Sequence, residues 1–342
     1  MNSVTHASKR CFWLGLLLLF TILILLAVLP VYASAYNVML MCNILMYIII
    51  TVSWVLFSGP TGYISLASAA FFGVGIYTSA ILGQILPLLA VVVVGGLASF
   101  ILALFVGLIT LRLRGMYFSI FTFGLVELVK HFLLWWEINI TGTRGRFVFG
   151  VDYATVYYIM FVILMVLVLT AYLIRRSKYG LALQSIGENE EAASHIGINV
   201  TVLKIAAFAL SAFFIGTAGT IMATRWTYVD PFIAFDPFRS FMPVLMAIFG
   251  GMAQLYGPVI GATIFAYLEE ELITRFPYHY MLIFGIIMVV SILYLPDGLI
   301  GLGRKLIGLV RMWQQKTQMA SKIRDKDGRI EAREGSGKNA RS

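Results

Sequence analysis

LPLLAVVVVGGLASFILALFVGLIT, Leu86 to Thr110, runs for 25 residues without one charged side chain. A stretch of about 18 or more apolar residues is long enough to cross a bilayer as a helix. Further runs resemble it on both sides. The whole chain of 342 residues is 60% hydrophobic and 12% charged, with a mean hydropathy of +0.91. A soluble domain cannot carry that much apolar surface. The runs are also too long, and too little alternating, for the strands of a membrane barrel. The fold class expected is therefore all-α, a polytopic transmembrane helical bundle of about eight to ten spans with interrupted helices.

The spans read as Phe12–Leu29, Tyr36–Phe57, a glycine-rich Gly62–Leu82, Leu86–Thr110, Met116–Trp136, Thr155–Ile174 and Lys204–Ala223. An interrupted region, Phe241–Glu270, and a last span, Tyr280–Tyr294, follow. The first run ends near Ala33-Ser34-Ala35, which has the small-x-small look of a signal-peptidase site. At 18 residues it exceeds the usual core of a signal peptide, so it reads as a retained span. This gives a membrane domain over 1–303 and a basic tail over 304–342. The tail holds eleven Lys/Arg against four Asp/Glu, most of the net +9, and reads as a solvated, unpacked segment. Its location at one end argues against nucleic-acid binding. Lipid is the expected surrounding.

Orientation follows from the cations in short loops. Lys9 and Arg10, Arg112 and Arg114, Arg175, Arg176 and Lys178, and Arg304, Lys305 and Arg311 all fall on one side if each span crosses once. That side is read as cytoplasmic, with both termini there, in a bacterial plasma membrane.

No arrangement points to enzyme chemistry or a metal. Cys11 and Cys42 sit in or beside apolar runs, and His6, His131, His195 and His279 are far apart. No cofactor is expected. Glu127, Lys130 and His131 fall on one helix face, as a structural ion pair or as a proton or substrate contact. Glu269, Glu270 and Glu271 read as a solvated helix end. Two Gly-Pro breaks, Gly59-Pro60 and Gly257-Pro258, mark either a solute path or plain helix ends and close packing.

One cytoplasmic stretch is unlike the rest: IGENEEAASHIGINV, Ile186 to Val200, with Glu188, Glu190 and Glu191. Asn189 suits a helix start and Gly197 a left-handed helix end. The two turns between them are marginal alone and need a partner surface. Acidic residues disfavour an anionic leaflet, so a protein is the expected partner.

Glu191-Ala192-Ala193-Ser194-His195-Ile196-Gly197 resembles the E-A-A-x-x-x-G signature of ABC-importer permeases. More narrowly, the chain resembles the LivM-type permeases of branched-chain amino acid importers. The resemblance also lies in GYISLASAAFFGVGIYTSAIL (Gly62–Leu82), LRLRGMYFSIFTFGLVELVK (Leu111–Lys130), the stretch Ser177–Gly219, and GGMAQLYGPVIGA (Gly250–Ala262). It covers about residues 30 to 305.

What the resemblance implies is a subunit that hydrolyses nothing itself. The chain lacks the phosphate-binding GxxxxGK[ST] of a motor. Its expected partners are ATP-binding subunits, a second LivH-like permease and an extracytoplasmic substrate-binding protein. Glu188, Asn189, Glu190, Glu191, Ala192, Ala193 and Gly197 are then the candidates for coupling to the ATPase. Gly62, Ser65, Phe71, Phe72, Tyr117, Thr122, Glu127, Gly250 and Gly251 are candidates for the translocation path.

The chain departs from the family pattern at Ala67 and Ser68, at Thr141-Gly142-Thr143-Arg144-Gly145, and at Met252-Ala253-Gln254. These departures leave urea, short amides or another small polar solute as alternative cargo. A transporter driven by an ion gradient is the alternative of another class, supported by Glu127 and His131 alone.

Overall fold

The computed structural model describes residues 30, 32–113, 115–252, 254–294 and 298–301. The expected first span Phe12–Leu29 and the tail 304–342 lie outside these residues, as do Cys11 and Arg114. Among the described residues, six helices are long and apolar enough to cross a membrane. The protein is an all-α polytopic bundle.

Helix α1, Ala35–Thr61, is the axis of the bundle, with 89% of its most apolar stretch buried inside the protein. It packs against α5 (Tyr153–Arg176), α8 (Val200–Ala223), α10 (Phe238–Gly250) and α11 (Tyr256–Arg275). It stops because Pro60 occupies its last turn and Gly62 turns to φ 72, a left-handed conformation that suits glycine.

The glycine-rich run expected to be one span, Gly62–Leu82, is helical only over α2, Ser68–Leu82. The six residues before it form no regular secondary structure, with Gly62 left-handed and Ala67 at φ -88, ψ 2. Three side chains tie this non-helical backbone down. Trp54 Nε1 donates to the Ser65 carbonyl at 2.7 Å, Ser119 Oγ to the Ile64 carbonyl at 2.7 Å, and the Leu66 amide to Thr122 Oγ1 at 3.0 Å. Unpaired backbone at such depth costs several kcal/mol per group, so the break persists where side chains satisfy it.

Helices α2, α3 (Leu88–Thr110) and α8 meet along a seam of small residues. A Cβ at Gly75 would fall on the Gly216 carbonyl oxygen, one at Gly219 on that of Phe72, and one at Gly95 on Thr220 Oγ1. Backbones approach this closely only where side chains are absent. The outer faces of α3, α4 (Met116–Trp136) and α5 stay apolar and exposed, with Phe105, Leu128 and Leu173 more than half accessible. In water such faces would aggregate, whereas lipid or another membrane chain accepts them.

The segment after α5 folds into α6 (Lys178–Glu188) and α7 (Glu190–His195). The sequence reading found α7 and missed α6. The interrupted region is two helices, α10 and α11, the first ending at Gly250 and the second starting at Tyr256, and α12 (Tyr280–Tyr294) packs on both. At the end of the bundle opposite α7, a π-helical turn (Glu137–Thr141) follows α4. Strand β1 (Arg146–Phe147) pairs antiparallel with β2 (Tyr228–Val229), and a one-turn helix α9 (Pro231–Ala234) follows.

Candidate functional site

The α6–α7 segment is built by local rules. Asn189 Oδ1 accepts from the Glu191 and Ala192 amides at 3.0 Å each, which starts α7. At its other end Gly197 takes φ 87. The Gly197 amide reaches the Ser194 carbonyl at 3.1 Å and the Ile198 amide the Ala193 carbonyl at 3.2 Å. That paired pattern is the Schellman closure of a helix. Asn189→Ala removes one of these two ends. It is expected to cost about 1 kcal/mol of local helix stability and to show as faster amide exchange confined to 190–196.

The three acids of this segment do not share one fate. Glu188, Glu191 and Ala192 are exposed, and Ile196 is 73% exposed. Ala193 is buried against the bundle. Glu190, unlike the other two acids, turns inward. Its Oε1 accepts from Lys204 Nζ at 2.8 Å and its Oε2 from the Tyr63 hydroxyl at 2.7 Å.

Lys204 is 2% exposed and also donates to the Tyr63 hydroxyl and the Leu111 carbonyl, both at 3.2 Å. Its ammonium stands 4.6 Å from the centre of the Tyr63 ring. One lysine thus joins α7, the first turns of α8, the non-helical stretch after α1 and the loop after α3. The physical reason is desolvation: a buried ammonium must find an opposite charge and acceptors for its remaining protons.

The sequence reading missed Lys204 because it stood at the assumed boundary of a span. A lysine in an apolar run, 14 residues after an acid, was the available signal.

The two chain breaks meet at this same end. A cavity of about 340 Å³ is lined by Gly59, Pro60, Gly62, Arg175, Met252 and Leu255, among others. Arg175 Nη2 lies 3.5 Å from the Met252 carbonyl. Gly250 packs against Gly257 with no room for a Cβ, and Gly251 adopts φ 97. Both residues serve the α10–α11 hairpin directly.

The other path candidates scatter. Ser65 and Thr122 come together at the non-helical stretch, both buried. Phe71 and Phe72 are fully buried. Phe71 meets Phe208 edge-on at 5.3 Å, and Phe72 lies under the Arg239 guanidinium at 4.8 Å. Tyr117 is 73% exposed and points away from the rest of the chain. Glu127 holds Lys130 at 2.6 Å, a closed i,i+3 pair, with His131 at 3.6 Å.

The far end holds charges the sequence reading treated as solvated. Glu269 accepts from the Tyr47 hydroxyl at 3.3 Å and Glu270 from Asn43 Nδ2 at 3.4 Å. Only Glu271 fits that expectation, pairing with Arg275 at 2.7 Å on the surface. The difference has a helical cause: Glu269 and Glu270 lie on the side of α11 that faces α1. Among the described residues, no group of three or more His, Cys, Asp or Glu side chains is placed to hold a metal ion.

Residues 36–292 match the family model described as branched-chain amino acid transport system / permease component. The chain is 28% identical over 324 residues to the high-affinity branched-chain amino acid transport system permease protein LivM of Salmonella typhimurium. That alignment covers 84% of this chain and 75% of that protein. It is also 28% identical over 322 residues to LivM of Escherichia coli, with the same coverage. A shorter stretch of 128 residues, 36% of this chain and 40% of the relative, is 27% identical to the ribose import permease protein RbsC of Haemophilus influenzae. No solved structure matches. The matched span takes in every helix from α1 to all but the last turn of α12, so the chain belongs to the family of branched-chain amino acid transport system permease components.

Proposed function

We propose that this chain is the permease subunit of an ATP-driven importer that brings branched-chain amino acids into the cytoplasm. In this reading α7 is the element an ATP-binding subunit grips, from the cytoplasmic side. A second, LivH-like permease completes the path, and a binding protein delivers the solute from outside. The observation that carries the proposal is a capped two-turn helix, set between two spans, with Ile196, Glu188 and Glu191 turned outward and Glu190 anchored inward. A short exposed helix with a rigid root is suited to pass a push from a soluble motor to the membrane helices.

Orientation is supported by charge. At the far end Arg144, Arg146 and Arg275 each sit against a carboxylate, Asp230, Glu137 and Glu271 respectively. At the α7 end Arg112, Arg176 and Lys178 stand in or beside the loops without such neutralisation among the described residues, as cytoplasmic loops favour. The gradient-driven alternative has less support. Lys130 closes on Glu127, which leaves that carboxylate poorly placed as a proton carrier.

The test is co-purification with the chain's natural neighbours, followed by uptake in proteoliposomes. ATP-binding subunits are expected to stay with the wild-type chain. Ile196→Asp and Glu191→Lys are expected to lose at least tenfold of them while the permease remains monodisperse. Undiminished retention by both variants would move the docking site elsewhere. Leucine, isoleucine and valine uptake should require ATP. Uptake only of urea or ribose, or uptake that follows a proton gradient without ATP, would overturn the cargo or the motor respectively.

A further inference from the structure

The far end of the bundle carries a polar cavity of about 250 Å³ between α1, α8, α10 and α11. Helix α8 separates it from α7 by 24 residues, roughly 36 Å at 1.5 Å per residue. Its walls carry charges of both signs: Arg225 and Arg239 on one side, Glu269 and Glu270 on the other.

These charges are close but do not close on each other. Neither guanidinium forms a salt bridge among the described residues. Arg239 is held by stacking, 4.8 Å from the Phe72 ring and 5.0 Å from the Trp226 ring, and among the described residues its hydrogen-bond acceptor is the Met46 sulfur at 3.8 Å. Arg225 Nη1 donates to Asn43 Oδ1 at 2.6 Å. The Nε of both arginines is buried without an acceptor. Burial lowers the pKa of Arg225 from the arginine value, while neighbouring acidic groups, Glu270 among them, work the other way.

The two carboxylates are correspondingly under-used. Each accepts one bond from a neutral group, Tyr47 or Asn43, and a carboxyl group has room for more. Asp236, the remaining acid nearby, caps α10 through the Phe238 amide at 3.0 Å.

Half-buried opposite charges held apart are costly unless something bridges them. Stacked guanidinium groups keep their edges available for a carboxylate, the geometry in which arginine binds best. We infer that this cavity is a binding site for a small zwitterion, its carboxylate on Arg225 and Arg239 and its ammonium on Glu269 and Glu270. The volume lies below the roughly 300–1,000 Å³ of sites for drug-sized ligands, as a small solute requires. Met39, Met46 and Met222 supply adaptable apolar lining for an aliphatic side chain. The site rests on the transport reading above and adds to it a place where the incoming solute is held by the membrane chain itself.

The experiment is a scintillation-proximity binding assay on the detergent-purified permease complex, without its binding protein, using tritiated leucine, proline and glycine betaine. Leucine binding is expected, weakened at least tenfold by Arg239→Gln and by Glu269→Gln, and recovered only in part by Arg239→Lys, which keeps the charge but not the stacked, two-pronged geometry. Glu271→Gln, which alters the neighbouring surface pair, should leave it unchanged. Leucine binding indifferent to Arg239→Gln and Glu269→Gln in monodisperse protein would overturn the site and leave the importer standing. Binding of proline or betaine but not leucine, with the same sensitivity, would keep the site and remove the branched-chain cargo. Binding of none of the three would overturn the site, and ATP-dependent leucine uptake by the complete importer would then still uphold the function.

Discussion

Lys204→Met is expected to cost the protein about 3 kcal/mol and to uncouple α7 from the bundle. The figure follows from removing one partner of a buried ion pair, which strands the other charge. Glu190 keeps 23% of its side chain exposed, so the penalty falls at the lower end of the range for buried pairs. Lys204 also leaves behind a Leu111 carbonyl and a Tyr63 hydroxyl that it had satisfied. Glu190→Gln should cost less, because an amide can still bond Tyr63. The double variant, Lys204→Met with Glu190→Gln, is expected to recover part of the loss, with a coupling of about 1–3 kcal/mol. The measurement is the melting midpoint of the solubilised chain, read by loss of the monodisperse peak after heating. Additive single losses would show that the two side chains do not act as a pair.

Gly75→Ala should be strongly destabilising, although it adds only one methyl group. The new Cβ would strike the Gly216 carbonyl, and main chain cannot step aside as a flexible side chain can. Over-packing of this kind costs about 1–3 kcal/mol, and more where backbone is the obstacle. Gly124→Ala is the matching control. Gly124 also lies within a helix, but a Cβ there meets nothing within 4 Å. Alanine is favoured over glycine by about 1 kcal/mol inside a helix, so this variant should melt at or above the wild-type temperature. Equal midpoints for the two variants would mean that the α2–α8 seam is looser than described. The contrast uses the same chemical change twice and so isolates the seam.

These residues show which parts of the protein were legible in its sequence. Most of the longer spans among the described residues were, because burial in lipid demands long apolar runs whatever their neighbours. Asn189 and Gly197 were, because a cap and a left-handed closure act within four or five residues. The break at Gly62 was marked by Gly59-Pro60, although the non-helical run of 62–67 was not foreseen. The inward turn of Glu190 was not legible, because its destination, Lys204 and Tyr63, is set by tertiary packing rather than by its own helix. Glu269 and Glu270 were misjudged for the same reason: three acids in a row look solvated until α1 presents Asn43 and Tyr47 to two of them. Helix α6 escaped notice because its eleven residues mix apolar and polar side chains on the scale of an ordinary loop. The path candidates were chosen by residue type, and type alone does not say which face of a helix looks inward. Tyr117 and Phe72 illustrate the two outcomes, one outside and one sealed in the core.

The non-helical stretch from Gly62 to Ala67 has a consequence for how the bundle can change shape. Ser119 and Thr122, both on α4, grip its main chain directly, while Trp54 of α1 holds it from the other side. If α4 slides or turns against α1, these bonds cannot stretch along with it. Each must be released and replaced by another partner or by water. The strap therefore behaves as a catch with distinct seats, and α1 and α4 are confined to a few relative positions separated by barriers. A helical bundle with a catch of this kind moves in steps, and rests between them without any further expense of energy.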